Sequence, residues 1–435
     1  MAHEAEITVA GGGPAGCIAG IGLAGLGHRV RLITRPRRPS VEGLSERVLR
    51  ALEAGGCARA LGAVGPAVRR DANWNGATTA ANREWVVARE RFDPALLEDA
   101  AEAGVEVVDG RITCIARTAE GWQIETAQGW GWSSGYLVEA RGRRAPGRRL
   151  RGPPTTALGR AFAGVPPRAR TAVAGFHRGW AWYASTGDGA AVLQIVLSSA
   201  RSLPKRPGLP ALFEALLNEI GPARDWLGAG HAVGEVFARH ADTSRAALPV
   251  EDRLIRVGDA ALALDPLSGH GLFEALASAR AAAPVINTIL RRPDDAELAR
   301  AFYEERVHLA FERFARIGRD FYALERRWPD ADFWRDRRGW PDDQPAHARP
   351  FAAPPRVEDR PVIEDGFVVA RRVVVTADQP RGVWQVDGVP VVELLDWRRK
   401  HPGDDLPGAA AARFACTPEQ VATALEWLRY RRLIG

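Results

Sequence analysis

The residues with the clearest chemistry stand near the start of the chain: Gly11-Gly12-Gly13-Pro14-Ala15-Gly16. They follow an apolar run, Ile7 to Ala10, and precede an Ala/Ile/Leu-rich stretch that meets no breaker until Gly25-Leu26-Gly27. The hexapeptide fits G-x-G-x-x-G, and Val30 to Ile33 returns to strand. Strand, glycine turn, helix and strand in that order make the βαβ unit that binds a dinucleotide. Gly11 permits the tight turn, Gly13 lets the backbone approach a pyrophosphate, and Gly16 lets the helix lie against the strand. The helix opened by Pro14 and Ala15 offers free N–H groups and a positive dipole end to the phosphates. An acidic residue that holds the ribose is expected at the end of the second strand, about twenty residues on. Thr34 and Arg35 stand there instead, so the ribose is held more weakly or by other groups.

Other chemistry is sparse. Cys17, Cys57, Cys114 and Cys416 are scattered without a C-x-x-C pair, which reads as buried thiols in a reducing cytoplasm, and no metal site is expected. No convincing acid/base pair appears. His270 is the one histidine to nominate for catalysis, and a hydrogen-bonded loop histidine is the plainer alternative. The opening MAHEAEITVAGG has no signal-peptide pattern, and no apolar stretch reaches membrane-spanning length. The net charge of +6 is carried by arginine, because Lys205 and Lys400 are the only lysines. Arginine used for solvation accounts for it, attraction of an acidic partner is the alternative, and no nucleic-acid motif accompanies it.

A chain of 435 residues, 46% hydrophobic and 26% charged, is long enough for two or three globular domains. After a turn over 36–40, Ser45 is placed to cap a helix that ends near Gly55-Gly56. Residues 69–85, polar with Trp74 and Trp85, do not read as part of the nucleotide sheet. A helix starts at Arg89 and closes at Gly104, and four strands follow between Val105 and Ala140. Residues 143–170, dense in Arg, Pro and Gly, read as a connection. Gly179 to Tyr183 and Ala191 to Ser198 read as strands joined by a Thr-Gly-Asp-Gly turn. Leu209 to Ile220 is a helix. A strand from Leu254 to Val257 ends at Gly258-Asp259, and a long helix starts at Leu272. Residues 329–361 read as a linker. Beyond it come strands and two amphipathic helices, the last capped by Thr417.

Three segments in this order resemble the flavoprotein monooxygenases of the p-hydroxybenzoate hydroxylase type, with their relatives the flavin-dependent halogenases and geranylgeranyl reductases. They are Gly11 to Gly16 in its βαβ context, Arg89 to Leu96 (R-x-x-F-D-x-x-L), and Gly258 to Gly271 (G-D-A-A-x-x-x-D-P-L-S-G-H-G). The resemblance covers roughly residues 5–330. It implies an α/β fold: a Rossmann-like FAD-binding domain of the glutathione reductase type, an inserted mixed β-sheet substrate domain, and a small α+β, winged-helix-like C-terminal domain. The boundaries expected are 1–70, 86–150 and 245–290 for the FAD domain and 71–85 with 151–244 for the substrate domain. A helical extension over 291–328, a linker over 329–355 and the small domain over 356–435 complete the chain.

The resemblance also implies roles. Gly258 and Asp259 form the pair whose carboxylate binds the flavin ribityl chain. Pro266 and Gly269-His270-Gly271 bring backbone N–H groups and a helix N-terminus beneath the flavin pyrimidine. Arg47 and Arg89 match positions that touch the cofactor. The activity implied is aromatic hydroxylation through C4a-hydroperoxyflavin, with O2 and with NAD(P)H or another source of reducing equivalents. The family's Asp-Gly segment departs here to Glu139-Ala140-Arg141-Gly142-Arg143, and there is a single glycine fingerprint, so the reductant has no binding domain of its own.

The halogenase branch carries W-x-W-x-I-P and a catalytic lysine. Trp180-Ala181-Trp182-Tyr183-Ala184-Ser185 lacks the Ile-Pro, and neither lysine is well placed, so hydroxylation ranks above halogenation. The C-terminal unit is similar to modules that bind leader peptides by strand addition. A plain structural cap or dimerisation element is an equal alternative. With the flavin domains it resembles the monooxygenases that hydroxylate a peptidyl tryptophan during quinone-cofactor maturation of quinohemoprotein amine dehydrogenase. The partner implied is an aromatic substrate within a peptide or protein. A small-molecule hydroxylase, a halogenase or reductase, and a non-catalytic peptide-binding flavoprotein remain the alternatives.

Overall fold

A computed structural model describes residues 5–36, 40–199, 203–401 and 406–434. The contacts divide the chain into two compact units: residues 1–286 with 303–346, and residues 287–302 with 347–435.

The first unit is built on two eight-stranded sheets. In one, β1 (Ala5–Ala10) runs parallel to β2 (Val30–Thr34) on one side and to Gly131–Glu139 on the other. Helix α1 (Pro14–Gly25) crosses between β1 and β2. Leu254–Arg256 extends the sheet in parallel beyond Gly131–Glu139, so its end delivers Gly258-Asp259 beside the glycine turn. Strands buried on both faces need apolar residues throughout, and Ile7, Val9, Leu32, Ile33, Leu137 and Val138 are all essentially sealed.

The second sheet runs His231–His240, Thr155–Ala163, Ala190–Ser198, Gly179–Ser185, Arg170–Phe176, Ala67–Trp74, Ala77–Ala88 and Val41–Leu44. The 143–170 connection expected from composition is therefore corrected. Thr155–Ala163 is an internal strand with partners on both sides, its alternating apolar residues outweighing the Pro/Gly-rich flanks. The period of two divides the sheet cleanly. Leu158, Phe162, Ala172, Ala174, Ala181, Tyr183, Leu193 and Ile195 face the helix Leu209–Glu219 through Phe213 and Leu216. Ala157, Val173, Trp180 and Val196 face the other way, toward Leu267, Tyr322, Phe333 and Trp334.

That second face overturns part of the linker reading. Asp332–Arg338 is a helix with Phe333 and Trp334 in the core. Trp334 stacks on Trp328 at 5.6 Å, meets Trp74 edge-on, and donates its indole N–H to the carbonyl of Phe176 at 3.1 Å. Indole rings bury more apolar area than most side chains and hold a polar group that wants a partner. That combination drew this polar-looking stretch into the fold. Of the turn expected over 36–40, residues 37–39 lie outside the described residues. Ser45 does precede the helix Glu46–Glu53, but its Oγ makes no capping bond.

The second unit holds an antiparallel sheet of Arg356–Glu364, Phe367–Thr376 and Gln379–Val383, a short two-stranded ladder, and helices Val391–Lys400, Leu406–Phe414 and Pro418–Tyr430. Val421, Leu425 and Leu428 of the last helix are buried together with Leu394, Leu395 and Val374, while Leu433 is partly buried. Thr417 and Gln420 cap that helix reciprocally. The unit also takes residues 287–302: Thr288 Oγ1 accepts from Val368 N and Asn287 Nδ2 donates to Gly366 O, both at 2.8 Å.

Candidate functional site

The glycine turn is shaped by close approach. Gly11 has φ +116, and a Cβ there would lie 2.6 Å from the carbonyl oxygen of Ala140. A Cβ on Gly16 would lie 1.9 Å from the carbonyl oxygen of Gly11, so α1 starts against the turn it leaves. Gly13 is the N-cap, with extended backbone and no side chain bonding the helix, and the first turn holds no acidic residue. The N-terminal donors of a buried twelve-residue helix are thereby left for an anion. These features fit a dinucleotide pyrophosphate.

The Gly-Asp turn abuts the same helix. Gly258 has φ +58, and a Cβ on it would meet that of Ala15 at 2.6 Å. Its N–H donates to Ser278 Oγ at 2.9 Å. Two arginines hold the turn: Arg149 donates to the carbonyls of Asp259 and Ala260 at 2.9 and 2.7 Å, and Arg143 Nε lies 3.4 Å from Asp259 Oδ2. Burial, reinforced by Arg143, lowers the Arg149 pKa to about 10.

The loop that follows is ordered by Asp265. Its carboxylate accepts from Leu267 N at 2.9 Å, and Ser268 Oγ donates to its carbonyl at 2.7 Å. Pro266 and Gly269 are exposed, Gly269 at φ +65, and the helix Gly271–Arg291 begins next. His270 packs at a tilt against Phe314 with centroids 5.1 Å apart, and its Nδ1 is buried without a hydrogen-bond partner among the described residues. Burial, with Arg47 and Arg313 nearby, holds its pKa below the ordinary imidazole value, so it is neutral at physiological pH. Arg47 itself is exposed.

Two of the arginines noticed in the sequence are occupied. Arg89 is buried, bonded to Asp93 at 2.6 Å and Glu42 at 2.8 Å, tying its helix to Val41–Leu44. Arg141 folds back on the buried Glu139, with Nε at 3.0 and 3.1 Å from the two carboxylate oxygens.

One assembly joins residues that no single motif brings together. Trp180 Nε1 donates to Tyr322 Oη at 3.1 Å, and the Tyr322 hydroxyl donates to Asp265 at 3.1 Å. Burial pushes Tyr322 well above the ordinary phenol range, with Asp265 adding to it, and burial also raises Asp265. A recess beside them, lined by Thr155, Thr243, Arg337 and Trp340, has room for about one water. The W-x-W tryptophan is thus tethered to the loop that follows the Gly-Asp turn. Among the described residues no cluster of side chains suits a metal, and no helix is long and apolar enough to cross a membrane.

Comparison with known proteins places this geometry. The FAD binding domain family matches residues 4–163. No curated protein sequence matches the chain. Among solved structures, the peptidyl tryptophan dihydroxylase QhpG, essential for tryptophylquinone cofactor biogenesis, is 39% identical over 99% of this chain and 100% of that one, with a TM-score of 0.85. The flavin-dependent halogenase CmlS is 20% identical over 92% of this chain and 90% of that one, with a TM-score of 0.73. The myxobacterial chondrochloren halogenase CndH is 22% identical over 77% and 85%, with a TM-score of 0.66. The two halogenases share the fold.

Proposed function

The chain belongs to the family of FAD-dependent monooxygenases that includes the peptidyl tryptophan dihydroxylase, and from that premise we propose that it hydroxylates a tryptophan side chain within a peptide or protein on the way to a quinone cofactor. The observation that carries the reading is convergence: the Gly258-Asp259 turn lies against Ala15 at the start of α1 and against Ala275 near the start of the helix Gly271–Arg291. FAD bound there supplies the oxygen-activating chemistry.

The chain's own residues hold, orient and exclude. The N–H groups at the start of α1 take the pyrophosphate, in the cradle of Gly11, Gly13, Pro14, Ala15 and Gly16. Asp259, steadied by Arg143 and Arg149, takes the ribityl hydroxyls. Pro266 and Gly269 to Gly271 support the pyrimidine end, where the helix dipole favours negative charge. Arg47 adds charge at the rim, and Arg89 acts indirectly by holding Glu42 and Asp93. Neutral His270 has one donor and one acceptor nitrogen, of which Nδ1 is buried and Nε2 would be left for the cofactor. Indole is electron-rich, so its attack on activated oxygen needs no strong base. Trp180, Tyr322 and Asp265 lock the sheet face and keep bulk water out.

O2 is the co-substrate, and electrons come from NAD(P)H or from reduced flavin delivered by another protein, because the chain has a single nucleotide fingerprint. The second unit recognises the polypeptide. The outer edge of Arg356–Glu364 has no strand partner among the described residues and carries Pro361, whose missing N–H is tolerated at an edge. A leader segment added there would pair along the strand. A cytoplasmic location fits the four free thiols.

The test supplies the purified protein with FAD, a reductant, O2, halide and a tryptophan-containing peptide, and weighs the product. A gain of one or two oxygen atoms on the indole is expected. A halogenated product, or no reaction with any peptidyl or free indole, overturns the reading.

A further inference from the structure

The second sheet brings over the cofactor loop a charged side chain that belongs to none of the motifs. Arg70 lies in Ala67–Trp74, and its guanidinium NH1 stands 3.6 Å from where a Cβ on Gly269 would be. The side chain is only 17% exposed, and its Nε is buried without a hydrogen-bond partner among the described residues. What fixes it is Glu84 on the neighbouring strand, whose Oε1 lies 3.6 Å from that Nε. Glu84 is buried in turn and accepts from Thr171 Oγ1 at 2.7 Å. Thr171, Glu84 and Arg70 thus form a line from the middle of the sheet to the loop, with the negative end inside and the positive end at Gly269.

The buried Nε faces the Glu84 carboxylate without a short bond, so Glu84 holds the guanidinium by charge, and its NH1 end reaches out over Gly269. Among the described residues the nearby carboxylates are shared: Asp71 pairs with Arg69 and Arg170, and Glu84 accepts from Thr171 as well as facing Arg70. The open direction is toward the loop, where the helix Gly271–Arg291 also presents its positive end. His270, Arg47 and Arg313 are the other charged or titratable groups around this loop. Two positive features facing one point call for an anion or a row of carbonyl oxygens.

We propose that Arg70 contacts the pyrimidine edge of FAD from the sheet side and stabilises the charge that this edge acquires on reduction, with Glu84 and Thr171 as positioning residues. Two electrons and one proton taken up from a hydride-class reductant leave one negative charge on the ring system, and Arg70 meets that charge. The inference rests on the FAD reading above.

The experiment compares the FAD-loaded full chain with Arg70→Met, Arg70→Gln, Arg70→Lys and Glu84→Gln. Affinity for oxidised FAD is read by flavin fluorescence, and the midpoint potential by anaerobic dye equilibration with dithionite. Removing the charge should weaken binding of reduced FAD relative to oxidised FAD at least tenfold, a fall of about 30 mV for a two-electron couple. Arg70→Lys should recover part of the shift, and Glu84→Gln should give a smaller one. If Arg70→Met does not fold, Arg70→Gln, which keeps donors without charge, carries the same expectation. An unchanged potential in the FAD-loaded neutral variants overturns this assignment alone. Failure of the unaltered chain to take up FAD overturns it together with the cofactor reading.

Discussion

Replacing Gly16 by alanine tests the nucleotide cradle at its tightest point. A Cβ there would sit 1.9 Å from the carbonyl oxygen of Gly11, whereas real Cβ contacts do not fall below 3.0 Å. The Cβ is fixed directly to the backbone and the oxygen belongs to it, so neither can swing away as the end of a long side chain would. The first turn of α1 must therefore retreat by about 1 Å from the turn that cradles the phosphates. Misplacement on that scale costs on the order of 100-fold where function depends on positioning. Overpacking of a close-packed interior adds about 1–3 kcal/mol of destabilisation. The expected outcome is FAD affinity weakened on the order of 100-fold, read by fluorescence titration, with a lower denaturant midpoint. Gly25→Ala in the same helix is the control, because nothing lies within 4 Å of its Cβ position. It should bind FAD normally and be stabilised by about 0.4–1 kcal/mol through its unfolded state. Unaltered FAD affinity in Gly16→Ala would refute the packing argument.

Other perturbations report on separate parts of the molecule. Tyr322→Phe leaves the Trp180 N–H without its acceptor and takes a donor from Asp265, so the urea midpoint should fall by the equivalent of about 1–3 kcal/mol; an unchanged midpoint means the tether carries no weight. His270 is held below its ordinary pKa, so the unfolded chain binds a proton that the folded chain refuses as pH drops. Stability from this group is present above about pH 6.5 and is lost as the pH falls below it toward the depressed folded value. His270→Gln should flatten that decline, and denaturation curves on either side of pH 6.5 would expose an error. Thr288→Val removes the acceptor of the buried Val368 N–H and should destabilise the second unit by about 1–3 kcal/mol, seen as faster proteolysis of 347–435 while FAD binding persists.

What could be read from the chain was local. The glycine turn, the Gly-Asp segment and the helix from Gly271 are each set by neighbours in sequence, and the capping box of Thr417 with Gln420 was legible for the same reason. The Trp180–Tyr322–Asp265 tether was not, because its members stand 142 and 57 positions apart. The same holds for Arg70 above Gly269, which needs the second sheet before it has a location. The linker was misread because its Pro, Asp and Arg outnumber its apolar residues. Trp328, Trp334 and Trp340 were the available signal, since a run of indoles is rarely spent on a solvated connection. The partition of 287–302 into the second unit left no sign either: Asn287 and Thr288 continue the helical pattern, and only their bonds to Gly366 and Val368 show where they belong.

Arginine is where composition and structure diverge most usefully. A net charge of +6 invites a search for an acidic partner. Yet many of these guanidinium groups are turned inward onto backbone carbonyls that would otherwise be stranded. Arg149 spans Asp259 and Ala260, Arg143 reaches Asp242 and Leu264, Arg337 reaches Phe333 and Pro154, and Arg338 reaches Tyr322 and Glu325. A planar fork with five donors can bond two separated carbonyls of an irregular loop in a fixed geometry, whereas the lysine ammonium offers its three donors from a single point on a flexible stem. Loops near a cofactor are short of regular hydrogen bonds, so they gain most from such clamps. The near absence of lysine therefore carries structural meaning here: charge is being used to set the Gly-Asp turn and the helix Asp332–Arg338. It follows that Arg149→Lys, which keeps the charge and loses the fork, should slacken the Asp259 turn and weaken FAD binding. A surface arginine such as Arg50, paired with Glu46 in its own helix, should tolerate the same exchange. Equal FAD affinity in the two lysine variants would return the arginines to the role of solvation.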